Sequence, residues 1–271
     1  MANPTPIATP NHTPWVKRTV RSVLGSNGAA SGWASSSQCV FLVSDIRALY
    51  RVVCSDSSTE VLEWGDMLDK KALAHLRQDP VMATLIQMYE APIVRQIGTV
   101  DLFPSLIETI IGQQLSVKVA DILTLRFQAL LQGRPATAVT VLSLSDEALR
   151  ACGISFSKIG YIKGICAAVL AGELRFENLA EISDVAVMAE LIKLKGIGQW
   201  TAEMFLIFSL QRPDVFSVGD LGLRTAVARL YGLDRQDLIG IKTLAQGWSP
   251  FRSLACMYLW KVLDNAPKKE S

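Results

Sequence analysis

The stretch Leu194-Lys195-Gly196-Ile197-Gly198-Gln199-Trp200-Thr201-Ala202 decides the predicted fold, because its two glycines lie between two helical patterns of apolar residues. Glycine permits a turn with positive φ and leaves no Cβ in the way of an approaching anion. The second helix then begins with unpaired N–H groups and the positive end of its dipole. The stretch therefore predicts a helix-hairpin-helix whose turn can bind a phosphate. The alternative is an ordinary helix–helix turn with a glycine cap.

A single carboxylate, Asp220, follows the hairpin at the start of the next helical pattern, which begins at Leu221. Aspartate is a good helix cap, and a carboxylate at a helix start is favoured by the helix dipole. A capping role and a chemical role are therefore compatible. A phosphate-binding turn with one reactive group at a fixed distance from it indicates an enzyme that acts on DNA.

The composition of the 271-residue chain limits how it can bind nucleic acid, because its formal net charge is only +2. A domain that binds DNA by charge alone is usually more basic. Half of the residues are hydrophobic, which predicts a globular fold of one domain or two close-packed ones. DNA binding is therefore expected to depend on local geometry and few phosphate contacts.

The five cysteines and two histidines offer no set of ligands for zinc or an iron–sulfur cluster, since no C-x-x-C pair occurs. An odd number of cysteines suits a reducing, intracellular compartment. The most apolar segment outside the helical part, residues 39–54, is interrupted by Asp45, Arg47 and Arg51, so we expect no membrane span.

Residues 1–66 differ from the rest, because they are rich in small and polar residues and contain no acidic residue before Asp45. This bias resembles an organelle transit peptide. A disordered tail, or an upstream extension with Met67 as the working start, is favoured over that interpretation. We therefore expect a poorly ordered N-terminal extension.

Helical patterns follow one another from Met67 onward, and strand-like alternation is scarce. The sequence therefore predicts a mainly α fold for residues 67–271. The predicted boundaries are a start at Asp79-Pro80, helical spacing over Phe103–Leu131 with an interruption at Gly112–Ser116, a cap at Ser145, and helices over Ser157–Leu170, Ser183–Lys193, Gln199–Leu210 and from Ser249-Pro250 to Leu263.

Three runs resemble the helix-hairpin-helix DNA glycosylase superfamily and, more closely, its 3-methyladenine DNA glycosylase II family. They are Lys195–Phe205, Asp214–Gly222 and, more weakly, Ile111–Val117, and the resemblance covers about residues 67–263. It implies two helical subdomains with a cleft between them and a helix-hairpin-helix at about residues 183–210.

The resemblance also implies roles for the hairpin backbone. The backbone N–H groups that would bind a DNA phosphate are those of Gly196, Gly198 and Thr201. In this superfamily a monovalent cation, Na⁺ or K⁺, often bridges hairpin carbonyls and the phosphate. The matching carbonyls are those of Ile192, Leu194 and Ile197. No other cofactor is implied, and Asp220 occupies the position of the catalytic carboxylate.

A lesion pocket is implied by the aromatic positions Trp200 and Trp260, since an extruded base needs aromatic faces. N-alkylated purines carry positive charge, which an indole face attracts. Met204 lies one helical turn from Trp200, where some relatives have an aromatic residue, so a looser pocket is expected. The alternative is that both tryptophans belong to the core.

Gln113 and Gln114 follow Gly112 at the predicted helix break. Gln113 matches a pocket position, and Gln114 matches the wedge that fills the space left by the extruded base. The wedge is often apolar in relatives, so the alternative of an exposed polar kink stays open.

Trp200 stands where superfamily members that also cut the backbone have a lysine, and tryptophan cannot form a Schiff base. The nearby Lys193 and Lys195 precede the glycines. The sequence thus predicts a monofunctional glycosylase, and the resemblance implies that it excises alkylated bases such as 3-methyladenine and 7-methylguanine from double-stranded DNA. The sequence gives no sign of oligomerisation, so a monomer is expected by default.

Two alternatives remain: a glycosylase for deaminated or oxidised bases, and a non-catalytic DNA-binding module. Asp220 separates the second from an enzyme, because binding alone does not require this carboxylate. Glu203, in the middle of the helix after the hairpin, is expected to be a solvated surface charge.

Overall fold

The computed structural model describes residues 70–89 and 101–264. The poorly ordered extension predicted for residues 1–66 lies outside these residues, as does the less favoured transit-peptide interpretation, and both stay predictions. After helical residues 70–76, the helices are α1 (Pro80–Met88), α2 (Leu102–Gly112), α3 (Val117–Leu130), α4 (Ala138–Leu142), α5 (Asp146–Ala151), α6 (Phe156–Leu170), a 3₁₀ turn (Phe176–Asn178), α7 (Asp184–Ile192), α8 (Gln199–Met204), a π-helical turn (Phe205–Ser209), α9 (Leu221–Tyr231), α10 (Leu238–Gln246) and α11 (Arg252–Asp264).

The fold is mainly α, as predicted, and no residue of 70–89 or 101–264 lies in a strand. Two predicted caps are confirmed, since the side chains of Ser145 and Ser183 accept backbone N–H groups at the starts of α5 and α7. The predicted start at Asp79-Pro80 is confirmed as well, and the Asp79 side chain caps α1. Among the described helices, none is long and apolar enough to cross a membrane.

Two predicted helix starts are wrong by a short distance. Helix α6 begins at Phe156, because the Ser155 side chain and not that of Ser157 accepts the first-turn N–H, that of Lys158. Helix α11 begins at Arg252 and not after Ser249, whose hydroxyl instead donates to the Asp214 carboxylate at 2.8 Å.

The apolar side chains form two separate cores. The first runs from α2 to the segment after the π-helical turn and includes Leu106, Ile110, Phe127, Ile162 and Phe205. The second combines α1 with α9, α10 and α11 and includes Leu85, Leu223, Trp248, Tyr258 and Leu259. The described chain therefore has the two expected helical subdomains, of which the second contains segments from both ends.

Two of the predicted site residues, Asp220 and Trp260, lie at the boundary between the two cores. Helix α8 contributes to the first core, whereas α9, which begins directly after Asp220, contributes to the second. Met257 and Trp260 of α11 are partly buried and pack against both cores. A carboxylate at the start of α9 is thereby held beside a hairpin that belongs to the other subdomain.

Candidate active site

The hairpin turn requires glycine at residue 196 for two reasons. Its φ is +94°, a conformation that L residues with side chains rarely adopt, and a Cβ at this position would lie 2.3 Å from ring atoms of Tyr161. Tyr161 comes from α6 and therefore packs against the backbone of the turn. Nothing in the local sequence around the hairpin predicts this contact, because it joins residues far apart in the chain.

Gly198 is the N-cap residue directly before α8. It has φ −95° and ψ 177°, makes no side-chain cap bond, and would have open space around an added Cβ. The first helical residues, Gln199 and Trp200, are exposed. The start of α8 is thus accessible and has no side-chain cap over its first N–H groups.

Gln113 connects the end of α2 to the hairpin. Its side-chain amide donates to the Gly196 carbonyl at 2.9 Å and to the Thr201 hydroxyl at 3.0 Å. Thr201 is buried, so its hydroxyl serves this contact inside the protein. The amide therefore fixes both sides of the turn relative to α2.

The turn after α2 is held from α6 by Lys158. Its amine donates to the carbonyls of Ile111 and Gln113, both at 2.7 Å, and burial lowers the pKa of the amine below its usual value. A cation at this position also stabilises the negative end of the α2 dipole. The next residue, Gln114, is exposed and has φ +58°, so its side chain lies on the surface beside the hairpin.

A surface depression of about 420 Å³ lies between these two turns. Its lining residues are Gln113, Gln114, Tyr161, Gly196, Ile197, Gly198, Trp200 and Thr201. The structure thus brings together most of the residues predicted from the sequence to bind DNA or the base, and adds Tyr161.

The Asp220 carboxylate accepts three hydrogen bonds. Oδ1 accepts the backbone N–H of Leu223 at 2.7 Å and the indole N–H of Trp260 at 3.1 Å, and Oδ2 accepts the indole N–H of Trp200 at 2.8 Å. The residue is half-buried. Both oxygens are therefore oriented by donors from three helices, α8, α9 and α11, of which the α9 donor is the predicted cap.

The two tryptophans that hold Asp220 differ in their surroundings. Trp260 is half-buried and stacks on Phe208 with a centroid distance of 5.5 Å. Trp200 is 37% exposed and lines the depression. Trp260 therefore combines a core position with a polar contact, whereas Trp200 presents aromatic surface to the outside.

Met204 does not reach this surface. It is 5% exposed, belongs to the first core and is not among the residues that line the depression. The carbonyls of Ile192, Leu194 and Ile197 belong to the end of α7 and the turn. The Leu194 carbonyl accepts the Ile197 N–H at 3.1 Å, which leaves its second lone pair.

The expectation that Glu203 is a solvated surface charge is wrong. Its side chain is only 6% exposed and accepts hydrogen bonds from the Gln199 amide, at 2.9 Å, and from the Ser217 hydroxyl. The reason is that the segment before Asp220 packs over this face of α8. Helical spacing alone does not show which segment covers a helix from outside.

Two arginines near the site in sequence are bound within the protein. Arg212 donates to three backbone carbonyls between Leu179 and Ile182, and Arg252 donates to the Asp214 carboxylate at 2.7 Å. Because both guanidinium groups are bound within the protein, these two arginines contribute less positive charge to the surface of the site than the sequence suggests.

The sequence that forms this site matches one known protein family. A model of the HhH-GPD superfamily of base excision DNA repair proteins matches residues 107–250, which contain the turn after α2, the hairpin and Asp220. The chain belongs to this superfamily. Trp260, in α11, lies beyond the matched range.

Individual HhH-GPD relatives agree with this assignment. The chain is 35% identical over 163 residues to DNA-3-methyladenine glycosylase 1 of Schizosaccharomyces pombe. The matched region covers 59% of this chain and 72% of that protein. A crystal structure of a DNA-3-methyladenine glycosidase from Bacillus halodurans has a TM-score of 0.60 and 38% identity, covering 70% of this chain and 88% of that one. The S. pombe 3-methyladenine DNA glycosylase in complex with abasic DNA has a TM-score of 0.67 and 31% identity, covering 73% and 100%.

Proposed function

We propose that this HhH-GPD protein is a monofunctional DNA glycosylase that hydrolyses the N-glycosidic bond of alkylated bases, such as 3-methyladenine and 7-methylguanine, in double-stranded DNA. The observation that carries the proposal is the Asp220 carboxylate, which two indole N–H groups orient beside a phosphate-binding type of hairpin. The names of the relatives support the substrate class.

The target atom of such a reaction is buried in a base stack, so the nucleotide must be extruded. Gln114 is exposed next to the hairpin, directly after the residue whose carbonyl Lys158 binds, and is the side chain suited to fill the vacated space. The exposed indole of Trp200 supplies an aromatic face for a cationic base. Gln113 would act at this site by holding the hairpin.

Asp220 would supply the chemistry. When an alkylated, already cationic base leaves, positive charge develops on the deoxyribose, and a nearby carboxylate stabilises it electrostatically. The same carboxylate can orient or deprotonate the attacking water. One carboxylate is sufficient, because a cationic leaving group needs no acid to protonate it, in contrast to the carboxylate pair of most sugar hydrolases.

The hairpin would position the DNA strand. The N–H groups of Gly196, Gly198 and Thr201 lie at a turn with an accessible helix start, a geometry that favours phosphate. A monovalent cation would be held by carbonyl oxygens of Ile192, Leu194 and Ile197, which are suitable hard ligands. The described residues contain no group of three or more His, Cys, Asp or Glu that could hold a metal ion.

The absence of lyase activity is part of the proposal. The side chain at the position of the lyase lysine is Trp200, whose indole is bound to Asp220 at 2.8 Å. The amine of Lys193 pairs with Glu190 at 2.8 Å, and Lys195 directly precedes the first hairpin glycine, Gly196. Borohydride added during the reaction should trap no covalent enzyme–DNA adduct, and a trapped adduct would overturn this part.

The main experiment is base release. The wild-type protein is incubated with duplexes that carry single alkylated, deaminated or oxidised bases, and the released bases are identified by chromatography. Release of 3-methyladenine and 7-methylguanine supports the proposal, and release of only deaminated or oxidised bases supports the alternative glycosylase. Specific binding to lesion duplexes without any release would identify a non-catalytic module.

The protein is proposed to act as a monomer, since one chain carries the hairpin, the turn with Gln114 and Asp220. Sedimentation of the complex with a lesion duplex tests this directly. One protein per duplex is expected, and two proteins per lesion would contradict it.

A further inference from the structure

Glu203 is a buried carboxylate that the proposed mechanism does not use. It lies on α8, one turn after Trp200, with 6% of its side chain exposed. Burial of a carboxylate is costly unless its oxygens are hydrogen-bonded. The two partners that the described residues provide are both neutral: the amide of Gln199 and the hydroxyl of Ser217.

The Ser217 contact leads directly to Asp220. Ser217 is fully buried, and its hydroxyl donates to Oε2 of Glu203. The Ser217 carbonyl in turn accepts the backbone N–H of Asp220 at 3.1 Å, which closes the turn that begins α9. Glu203 is therefore two hydrogen bonds away from the backbone of the proposed catalytic residue.

Helix α8 thus holds the Asp220 segment at two points. Trp200 binds the carboxylate itself, at Oδ2, and Glu203 binds the residue on which the Asp220 turn closes. The first contact orients the carboxylate, and the second fixes the position of the Asp220 backbone relative to the hairpin. Both contacts are made by the helix that begins at the phosphate-binding turn.

We propose that Glu203, through Ser217, is a positioning residue that fixes the distance between the Asp220 carboxylate and the sugar held by the hairpin. This inference rests on the proposed glycosylase function. Misplacement by even 1 Å is costly for electrostatic stabilisation of a developing charge. Loss of the Glu203–Ser217 contact should therefore weaken the interaction with a cationic sugar more than it weakens DNA binding.

The test compares two DNA duplexes that differ only in charge at the lesion. One carries a cationic pyrrolidine in place of the deoxyribose, and the other carries a neutral tetrahydrofuran. The ratio of their dissociation constants reports how well the carboxylate faces the sugar, because the cation resembles the transition state. A role in folding alone would lower the melting temperature and leave this ratio unchanged.

Four variants define the contact. Ser217→Ala and Glu203→Ala each remove it and should reduce the preference for the cationic duplex by about 5–10-fold, the value of one hydrogen bond. Glu203→Gln should retain most of the preference, because its amide can donate to a rotated Ser217 hydroxyl. Gln199→Ala is the matched control, since it removes the other hydrogen bond on Glu203 without touching the Asp220 segment.

The last comparison adds Ser217→Ala to a protein that already carries Asp220→Asn. If Glu203 acts through Asp220, Ser217→Ala makes no further change to the ratio once the carboxylate is absent. The inference is overturned if Ser217→Ala and Glu203→Ala keep the wild-type ratio, or if Gln199→Ala lowers it equally. A wild-type protein that releases no base and shows no preference for the cationic duplex would instead contradict the proposed function.

Discussion

The Asp220 side chain has a structural role, the capping of α9, beside its proposed chemical one. Its Oδ1 caps α9 through the Leu223 N–H, while the indoles of Trp200 and Trp260 orient both oxygens. The cap could be predicted, because an aspartate before a helical pattern is a local signal. The indole donors could not be derived from the local pattern, since Trp260 lies forty residues away, on α11.

The hairpin glycines make different demands on the structure. Gly196→Ala should lower the free energy of unfolding by about 2–4 kcal/mol, because the new Cβ meets Tyr161 and the backbone has positive φ. Chemical denaturation measures this. Gly198→Ala should lower it by less than about 1 kcal/mol, since the position has open space and negative φ, but should weaken binding to duplex DNA. Equal destabilisation by both substitutions would contradict this assignment.

Glu108 gives a stability that depends on pH. Burial raises the pKa of this carboxyl from 4.5 to about 7, although a hydrogen bond from Gln128 opposes the shift. Because the folded protein holds the proton more tightly than the unfolded chain, this contribution is complete below pH 4.5 and is lost as the pH rises through 7.

Glu108→Gln should therefore remove a decline of roughly 1–3 kcal/mol in the free energy of unfolding between pH 4.5 and 8, after allowance for solvent screening. Urea denaturation of both proteins at several pH values provides the measurement. Parallel curves for wild type and variant would show that Glu108 does not titrate as described.

At the scale of helices, the sequence predicts what is local and misses what is brought from elsewhere. The caps Ser145 and Ser183 and the break after Gly112 follow from residues within one turn of each boundary. The burial of Glu203 and the contact of Tyr161 with the hairpin depend on segments packed across the chain. Periodicity identifies the face of a helix, but not which segment covers it.

Helix α6 gives an example of a contact between segments that are distant in the chain, because its Lys158 binds the carbonyls of the turn after α2. Lys158→Met should lower the free energy of unfolding by about 1–3 kcal/mol, since two carbonyls lose a charged donor. It should also weaken binding to an abasic duplex, because the Gln114 turn is released. The control is Lys163→Met on the same helix, which removes an ion pair with Asp146 away from the turn.

Denaturation and DNA titration distinguish the two lysines. The Lys163 variant should bind the abasic duplex like the wild type once folded. If the Lys158 variant also binds DNA as tightly as the wild type, the Lys158 contact has no part in holding the Gln114 turn.

At the scale of the whole molecule, two cores meet where the proposed chemistry occurs. The hairpin belongs to the first core and α9 to the second, and Trp260 packs against both. The two-subdomain arrangement was predicted through the resemblance, and composition alone did not reveal it. The proposed arrangement of Asp220 beside the hairpin therefore depends on how the two cores are packed together.

The low net charge of the molecule predicts how DNA binding responds to salt. With +2 overall and two arginines bound internally, we expect few phosphate contacts. A plot of log K for undamaged duplex against log salt should then have a slope no steeper than about −4, equivalent to about four neutralised phosphates. Fluorescence titration at several salt concentrations measures it, and a slope near −8 would indicate a broad basic surface instead.

The central claim is that the Asp220 carboxylate acts on the sugar that loses its base. Asp220→Asn keeps the size of the side chain and an oxygen that can accept the Leu223 N–H, so the fold should persist. The decisive measurement is the single-turnover rate of 3-methyladenine release by wild type and Asp220→Asn, with folding checked by circular dichroism. We predict that the folded variant is at least about 1,000-fold slower. Release at the wild-type rate would contradict the mechanism.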